Sequence, residues 1–219
     1  MTAAVIIQAR MSSKRLPEKV LKSLNGKPLL EYIIEQIQHK NDKLPIVIAT
    51  SKEDSDKKIV DYCNRKNISY HCGDLINVAS RYIEIIKKYN LDFFVRICAD
   101  SPLLDGNLIK DAVFLMGNDT DIVTNIHPRT FPKGQSVEVI NSNFYCENFK
   151  KFKTKDHFEH VTKYFYENEH SYKIINIKNN INISNQSLAV DSIKDFKNIE
   201  KIIFNMTKPH FEYSFKDLI

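Results

Sequence analysis

Hydrophobic runs alternate with stretches of helical spacing through the first half of the chain. Runs typical of strands buried on both faces are AAVIIQ, LPIVIAT, ISYHC, DFFVRI and TDIVTNI. Stretches with helical spacing lie between them: PLLEYIIEQIQHK, which starts on Pro28, DSDKKIVDYCNRK, NVASRYIEIIKKYN and GNLIKDAVFLM. This alternation predicts an α/β fold with a mostly parallel central sheet and right-handed crossovers.

The second half of the chain is less regular. FPKGQSVEVIN predicts a turn leading into a strand, DHFEHVTKYFYENE a helix, SYKIINIK a strand, and SLAVDSIKDFKNIEKIIFNM a short strand followed by a helix. No internal repeat or long linker divides the chain. We therefore predict a single domain over residues 1–219, with a less regular region around residues 127–185 that is a candidate subunit contact.

Composition and charge exclude several classes of protein. The 219 residues are 42% hydrophobic and 27% charged, and the net charge is +5. A dedicated nucleic-acid binder has a stronger basic stripe, so no nucleic-acid partner is expected. No apolar run is long enough to span a bilayer, no signal peptide is indicated, and no two of the four cysteines form a C-x-x-C pair. These features predict a reduced, cytoplasmic protein with no membrane partner.

The first predicted strand leads into a loop rich in basic side chains. Within IIQARMSSKRLPEKVL the cations are Arg10, Lys14, Arg15 and Lys19. The loop lacks the glycines of a P-loop, but Ser12 and Ser13 add hydroxyl donors. Because like charges repel, we expect strain in the free loop that a bound polyphosphate relieves. In a parallel sheet, ligands bind at the carboxyl ends of strands, where this loop is predicted to lie.

Two aspartates follow predicted strands and are candidate metal ligands. Asp100 lies in RICADSPLLD and Asp191 in LAVDS. Mg²⁺ is held by one or two carboxylates plus phosphate oxygens, which explains a carboxylate beside a basic loop. From the residues alone, a turn cap at Asp100 and a helix N-cap at Asp191 are the simpler alternatives. The D-x-D of NDTDIV precedes a strand, so Asp119 and Asp121 are predicted at the opposite edge of the sheet.

Six blocks of the sequence together resemble one family, in its order along the chain. They are QARMSSKRLPEKVLKSLNGKPLLEYIIEQI, GDLINVASRY, VRICADSPLLD, FPKGQSVEV, HFEHVT and LAVDSIKDF. They resemble bacterial cytidylyltransferases of the spore-coat-polysaccharide type, which are related to the CMP-Kdo and CMP-acylneuraminate synthetases. The resemblance implies a Rossmann-like three-layer nucleotidyltransferase fold.

The resemblance also implies an activity. It is the Mg²⁺-dependent joining of a sugar, expected to be acidic, to the α-phosphate of CTP, with release of pyrophosphate for surface polysaccharide or glycan synthesis. Arg10, Arg15 and Lys19 would contact the triphosphate and, with Asp100, form the catalytic set. Asp100 and Asp191 would hold Mg²⁺. Related synthetases commonly dimerise, so a homodimer is expected.

Further residues match the blocks that bind nucleotide and acceptor in the family. The nucleotide set adds Gln8, Ala9, Ser12, Ser13, Asp74, Asn77 and Arg81 to the loop cations. Asn77 is an equally good helix cap, Arg81 an equally good exposed helix residue, and Gln8 a possible partner of neighbouring backbone. The acceptor set is Gln135, Glu138, Glu159 and His160. An outward strand position is the alternative for Glu138, and packing or acceptor binding is favoured over zinc for His157 and His160.

Three other functions remain open from sequence. One keeps the fold and the chemistry but uses a phosphorylated or non-sugar acceptor. Another is a GT-A glycosyltransferase, which needs Asp119 and Asp121 at its metal. The third is a non-catalytic nucleotide-binding partner of a biosynthetic complex.

Overall fold

A computed structural model describes all 219 residues. The strands are β1 Ala3–Gln8, β2 Ser23–Leu24, β3 Lys27–Pro28, β4 Ile46–Ser51, β5 Ser69–Gly73, β6 Phe93–Cys98, β7 Ile122–Thr124, β8 Glu138–Asn141 and β9 Ile174–Asn176. The helices are α1 Leu29–Lys40, α2 Lys57–Lys66, α3 Val78–Tyr89, α4 Gly106–Phe114, α5 Ser142–Phe149, α6 Lys155–Glu159, α7 Lys163–Glu167 and α8 Ile193–Phe204.

A seven-stranded sheet forms the centre of the molecule. Its strand order is β5-β4-β1-β6-β8-β7-β9, and only β8 runs antiparallel to its neighbours. β1 and β6 pair in parallel, with Gln8 opposite Cys98. The two strands therefore end side by side, and the loops that follow them share one edge of the sheet. The predicted mostly parallel sheet is confirmed.

Two hydrophobic cores cover the two faces of this sheet. Along β1, Val5 and Ile7 point into one core and Ala4 and Ile6 into the other, as the period of two along a strand requires. Helices α1, α2, α4 and α8 pack on the first face, and α3, α5 and α7 on the second. The result is the three-layer α/β arrangement that the family resemblance implied.

The single helix predicted for DHFEHVTKYFYENE is wrong. The segment forms α6 and α7, which are separated at residues 160–162. Val161 is fully buried and has a φ of 54°, a left-handed conformation that is strained for a β-branched residue and interrupts the helical ladder. His160 lies at this break, outside both helices. Helix α5, which sequence did not predict, begins after Asn141, whose side chain accepts the Phe144 N–H.

A glycine turn holds the segment that leads to Asp191. Gly134 has a φ of +91°, and a Cβ there would lie 2.6 Å from the carbonyl carbon of Leu188. The Leu188 N–H donates to the Lys133 carbonyl at 2.8 Å, and the Val190 N–H donates to the Asp100 carbonyl at 2.8 Å. The predicted short strand is thus an extended segment lying between this turn and the end of β6.

None of the helices combines the length and the apolar character needed to cross a membrane.

Replacing Gly134 tests whether its close contact with Leu188 affects stability beyond the effect of its left-handed backbone conformation. Gly134→Ala is matched by Gly26→Ala, because Gly26 has a φ of +85° with no atom within 4 Å of its would-be Cβ. We expect Gly26→Ala to lower the free energy of unfolding by about 1–2 kcal/mol, the cost of a left-handed Ala. Gly134→Ala should lose about 1–3 kcal/mol more through the clash with Leu188. Urea unfolding measures both free energies. Equal losses in the two variants would show that the segment around Leu188 moves to make room for the added methyl group without a cost in stability.

Candidate functional site

A cavity of about 420 Å³ lies where β1 and β6 end. Its walls come from the loop after β1, the end of β6, the turn after α6 and the segment before α8. The thirteen lining residues are Gln8, Arg10, Ser13, Lys14, Arg15, Lys19, Val20, Cys98, Ala99, Asp100, Glu159, His160 and Asp191. The basic loop and both candidate metal ligands therefore converge on one space.

The loop after β1 is anchored by its apolar residues and one buried carboxylate. Met11 and Leu16 are buried in the core of the first face. The Met11 N–H donates to Asp56 at 2.7 Å, and Asp56, itself fully buried, also accepts from the N–H and hydroxyl of Ser51. These groups fix the backbone of the loop, and the basic side chains on either side of them and between them line the cavity.

Three of the four basic side chains that were expected to repel each other are paired with a carboxylate. Arg10 contacts Glu159 at 3.2 Å, and Arg15 contacts Asp191 at 2.9 Å. Lys19 lies between Asp191 at 3.3 Å and Asp100 at 3.6 Å. The chain itself supplies the anions that separate these three cations, which argues against the strain expected of the free loop.

Lys19 is the most enclosed of these three cations. Its side chain is 12% exposed, and its ammonium also donates to the Val190 carbonyl at 2.7 Å. Arg15, by contrast, is 69% exposed. Lys19 therefore connects the loop after β1, the end of β6 and the segment before α8 through one charged group.

The arrangement of Asp100 and Asp191 fits a magnesium site. Both carboxylates contact the same ammonium group, so they face one position. Asp191 does not cap α8, because Ser192 does so in a capping box with Asp195. No group of three His, Cys, Asp or Glu side chains forms a metal cage. Two carboxylates with room for phosphate oxygens are what Mg²⁺ uses beside a nucleotide.

The structure separates the predicted nucleotide residues into two groups. Gln8 and Ser13 line the cavity with the loop cations. Ala9 is buried, Ser12 points to solvent, and the block containing Asp74, Asn77 and Arg81 lies outside the lining.

The block from residue 74 to residue 81 is held by its own hydrogen bonds. Asn77 accepts the Ser80 N–H as the N-cap of α3. Arg81 is fully buried, where it donates to the Asp74 carbonyl at 2.7 Å and the Leu75 carbonyl at 3.2 Å. The N–H groups of Asn77 and Ile76 donate to the Asp74 carboxylate and lower its pKa. These contacts fix the shape of the loop, and base contacts by the same residues stay a prediction.

The predicted acceptor residues are also divided. Glu159 and His160 line the cavity. Gln135 is fully buried, with its amide accepting the Asp105 N–H and donating to the Leu103 carbonyl. Glu138 is 1% exposed and is held by Arg96 and by the Tyr166 hydroxyl. Neither Gln135 nor Glu138 lines this cavity, because both side chains are used to hold other parts of the chain.

Four lining residues were not among the predicted site residues: Lys14, Val20, Cys98 and Ala99. Lys14 was visible as one of the loop cations. Cys98 and Ala99 directly precede Asp100 at the end of β6, so their place follows from the register with β1. Burial raises the pKa of the Cys98 thiol to about 11, so it is a neutral wall beside the charged groups.

Comparison with known proteins identifies relatives over nearly the whole chain. The family model described as cytidylyltransferase matches residues 4–214. The uncharacterized protein MJ1063 of Methanocaldococcus jannaschii is 34% identical over 195 residues, which are 88% of this chain and 79% of that protein. The spore coat polysaccharide biosynthesis protein SpsF of Bacillus subtilis is 27% identical, with 90% of this chain and 84% of that protein covered.

A third relative and a solved structure extend this picture. The 3-deoxy-manno-octulosonate cytidylyltransferase of Chlorobium limicola is 30% identical over 133 residues, covering 58% of this chain and 52% of that enzyme. A cytidylyltransferase structure from Leptospira borgpetersenii superposes with a TM-score of 0.94 at 26% identity, covering 100% of this chain and 92% of that one.

Removing the shared ammonium group tests whether the cavity depends on it. In Lys19→Met, Asp100 and Asp191 lose the cation between them, so the free protein should lose about 1–3 kcal/mol of unfolding free energy. Lys14→Met is the matched control, because Lys14 lines the same cavity without an ion pair. The free energy of unfolding of Lys14→Met should stay within about 0.5 kcal/mol of the wild-type value, as for most surface substitutions. A stabilised Lys19→Met would instead support a self-repelling loop.

Proposed function

Because this chain belongs to the cytidylyltransferase family, we propose that it joins an acidic sugar to the α-phosphate of CTP and releases pyrophosphate, in a reaction that depends on Mg²⁺. The nucleotidyltransferase class follows from the family itself. The nucleotide, the metal and the acceptor are the proposed parts. The observation that supports them most is the meeting of the basic loop with Asp100 and Asp191 in one cavity.

The charges of the cavity favour a triphosphate bound together with a divalent cation. Four basic side chains and three carboxylates line it, so its own charges nearly cancel. A triphosphate carries more negative charge than this small surplus of positive charge. A divalent cation held between the carboxylates and the phosphates makes up most of the difference. The nucleotide thus replaces the carboxylates as the partner of the loop cations.

Five of these charged groups then have roles in the transfer. The oxygen of the acceptor hydroxyl attacks the α-phosphorus in line with the departing pyrophosphate, the bond from that phosphorus to the leaving phosphate oxygen breaks, and the hydroxyl proton passes to water. Arg10, Arg15 and Lys19 stabilise the negative charge that accumulates on the leaving phosphates. Asp100 and Asp191 would hold Mg²⁺, which when bound neutralises phosphate charge. Gln8 and Ser13 line the same cavity, and in this proposal they donate hydrogen bonds to the nucleotide.

The acceptor side is supported by position and by the relatives. Glu159 and His160 line the cavity from the end of α6. This wall is distant in sequence from the loop that carries the cations. Relatives include an enzyme named for 3-deoxy-manno-octulosonate, an acidic sugar, and a protein of spore coat polysaccharide biosynthesis. We therefore propose an acidic sugar as the acceptor and a surface polysaccharide or glycan as the destination of the product.

Pyrophosphate release tests the proposal as a whole. The protein with Mg²⁺ is given each of the four NTPs and a panel of acidic sugars, neutral sugars, sugar phosphates and non-sugar phosphates. We expect release with CTP and an acidic sugar. Release with a purine nucleotide would overturn the choice of CTP, and release only with a phosphorylated acceptor would overturn the acidic sugar.

A single substitution tests the role of Asp100. Asp100→Asn removes a carboxylate that faces Lys19, so turnover should fall about a hundredfold or more, as when other charge-stabilising groups are lost. Asp119→Asn is the control, since Asp119 is exposed before β7, at the opposite edge of the sheet. It should keep full activity. Wild-type rates for Asp100→Asn at limiting Mg²⁺ would refute the metal role, and inactivity of Asp119→Asn would favour a GT-A glycosyltransferase.

A further inference from the structure

The first turn of α2 contacts the basic loop after β1 but contributes no residue to the lining of the cavity. Asp56 is the N-cap residue of this helix, yet its side chain makes no capping hydrogen bond. Its carboxylate instead accepts the N–H of Met11, which lies 45 residues earlier in the chain, at 2.7 Å. Asp56 was not among the site residues predicted from sequence. Its side chain therefore serves the loop after β1 and not its own helix.

The carboxylate of Asp56 is fully buried, and each of its oxygens has a partner. One oxygen accepts the Met11 N–H, and the other accepts the N–H of Ser51 at 3.1 Å and the Ser51 hydroxyl at 2.5 Å. A buried carboxylate is costly unless such hydrogen bonds satisfy it. An asparagine in this place would turn its NH₂ group toward at least one backbone N–H, so it cannot satisfy both. The position therefore requires a carboxylate.

Met11 is the residue on which the basic loop closes. Its carbonyl accepts the N–H groups of Ser13 and Glu18, each at 2.9 Å, and its side chain is buried in the core. Because a peptide group is planar, the hydrogen bond from the Met11 N–H to Asp56 also fixes the orientation of the peptide group that follows Arg10. Asp56 thus holds the one residue that joins the two ends of the loop.

The far end of the loop contacts the same helix. Glu18 has a φ of 59°, a left-handed conformation that is uncommon in residues other than glycine, and it forms an ion pair with Lys58 in the first turn of α2. Both side chains are more than half exposed, so this ion pair adds little stability. Lys19, which follows Glu18, lines the cavity together with Arg10. Helix α2 therefore contacts the loop beside both cations, and the contact at Asp56 is the buried one.

We propose that Asp56 is a positioning residue for nucleotide binding, which holds Arg10 and Lys19 in the arrangement that a polyphosphate requires. This inference rests on the proposed function and adds a residue that acts through the Met11 peptide group without touching the ligand. A loop that is fixed before binding loses less conformational freedom when the ligand arrives, so the affinity is higher. Without the buried carboxylate, the loop keeps its cations but not their arrangement.

Asp56→Asn tests this role, with Asp105→Asn as the matched control. Asp105 is also a buried carboxylate that accepts the N–H of a distant residue, but that residue is Phe215 near the end of the chain. Calorimetry measures the affinity for CTP with Mg²⁺ present, at a temperature at which both variants are folded. Asp56→Asn should bind CTP about tenfold or more weakly than the wild type, and Asp105→Asn should stay within about twofold of it. Equal affinities in the two variants would overturn the inference, since a carboxylate that only stabilises the fold leaves the affinity of the folded protein unchanged.

Amide hydrogen exchange tests the same role without any ligand. NMR measures the exchange rates of the Met11 N–H and of the Ser13 and Glu18 N–H groups that bond to its carbonyl. Asp56→Asn should raise these rates at least about tenfold more than Asp105→Asn does, because only the first substitution removes the bond to the loop. Equal rates in the two variants would show that the loop is held without Asp56 and would contradict the inference.

Two further comparisons separate this inference from its premise. If the wild type binds no CTP, the proposed function fails, and the exchange rates still decide whether Asp56 positions the loop. If thermal melting shows that Asp56→Asn does not fold, Ser51→Ala replaces it, because this substitution removes one donor from the carboxylate and keeps the carboxylate charge. Ser51→Ala should weaken CTP binding about threefold and speed the exchange of the Met11 N–H. A wild-type value for either quantity would overturn the inference.

Discussion

The ammonium group of Lys19 holds the site together. It contacts Asp100 at the end of β6, Asp191 before α8 and the Val190 carbonyl, while its own backbone belongs to the loop after β1. The parallel pairing of β1 and β6 brings the loop after β1 and the end of β6 together. The bond from the Val190 N–H to the Asp100 carbonyl adds the segment before α8. The fold therefore places one cation and two carboxylates at the same point.

This pairing explains how a loop with so many cations can be stable without a ligand. Arg10, Arg15 and Lys19 use Glu159, Asp191 and Asp100 as internal counterions. A phosphate group that takes over the cations leaves the carboxylates exposed to its own negative charge. A ligand that supplies both an anion and a divalent cation satisfies both sets of side chains. The electrostatics of the free protein therefore agree with our proposal that the ligand is a metal–nucleotide complex.

Sequence predicted those parts of the molecule that depend on local pattern. The buried strands, the parallel sheet and the meeting of the basic loop with Asp100 follow from periodicity and the rule for strand ends. Contacts that depend on pairing between distant segments could not be predicted from the sequence. Glu138 lies opposite Arg96 only because β8 inserts antiparallel beside β6, and that register cannot be read from either strand.

The break between α6 and α7 has a similar origin. The pattern of DHFEHVTKYFYENE is helical, but Val161 is fully buried and adopts a left-handed φ, which interrupts the helix. Tertiary packing therefore overrides the local preference at the position that follows the lining residues Glu159 and His160. The most direct test asks whether phosphates replace Asp100 and Asp191 as the partners of the loop cations. Calorimetry measures the affinity for CTP, first with a chelator and then with Mg²⁺, for the wild type and for the double variant Asp100→Asn/Asp191→Asn. Metal-free CTP should bind the double variant at least about tenfold more tightly than the wild type, and Mg²⁺ should strengthen binding only in the wild type; equal metal-free affinities and no effect of Mg²⁺ would contradict the account.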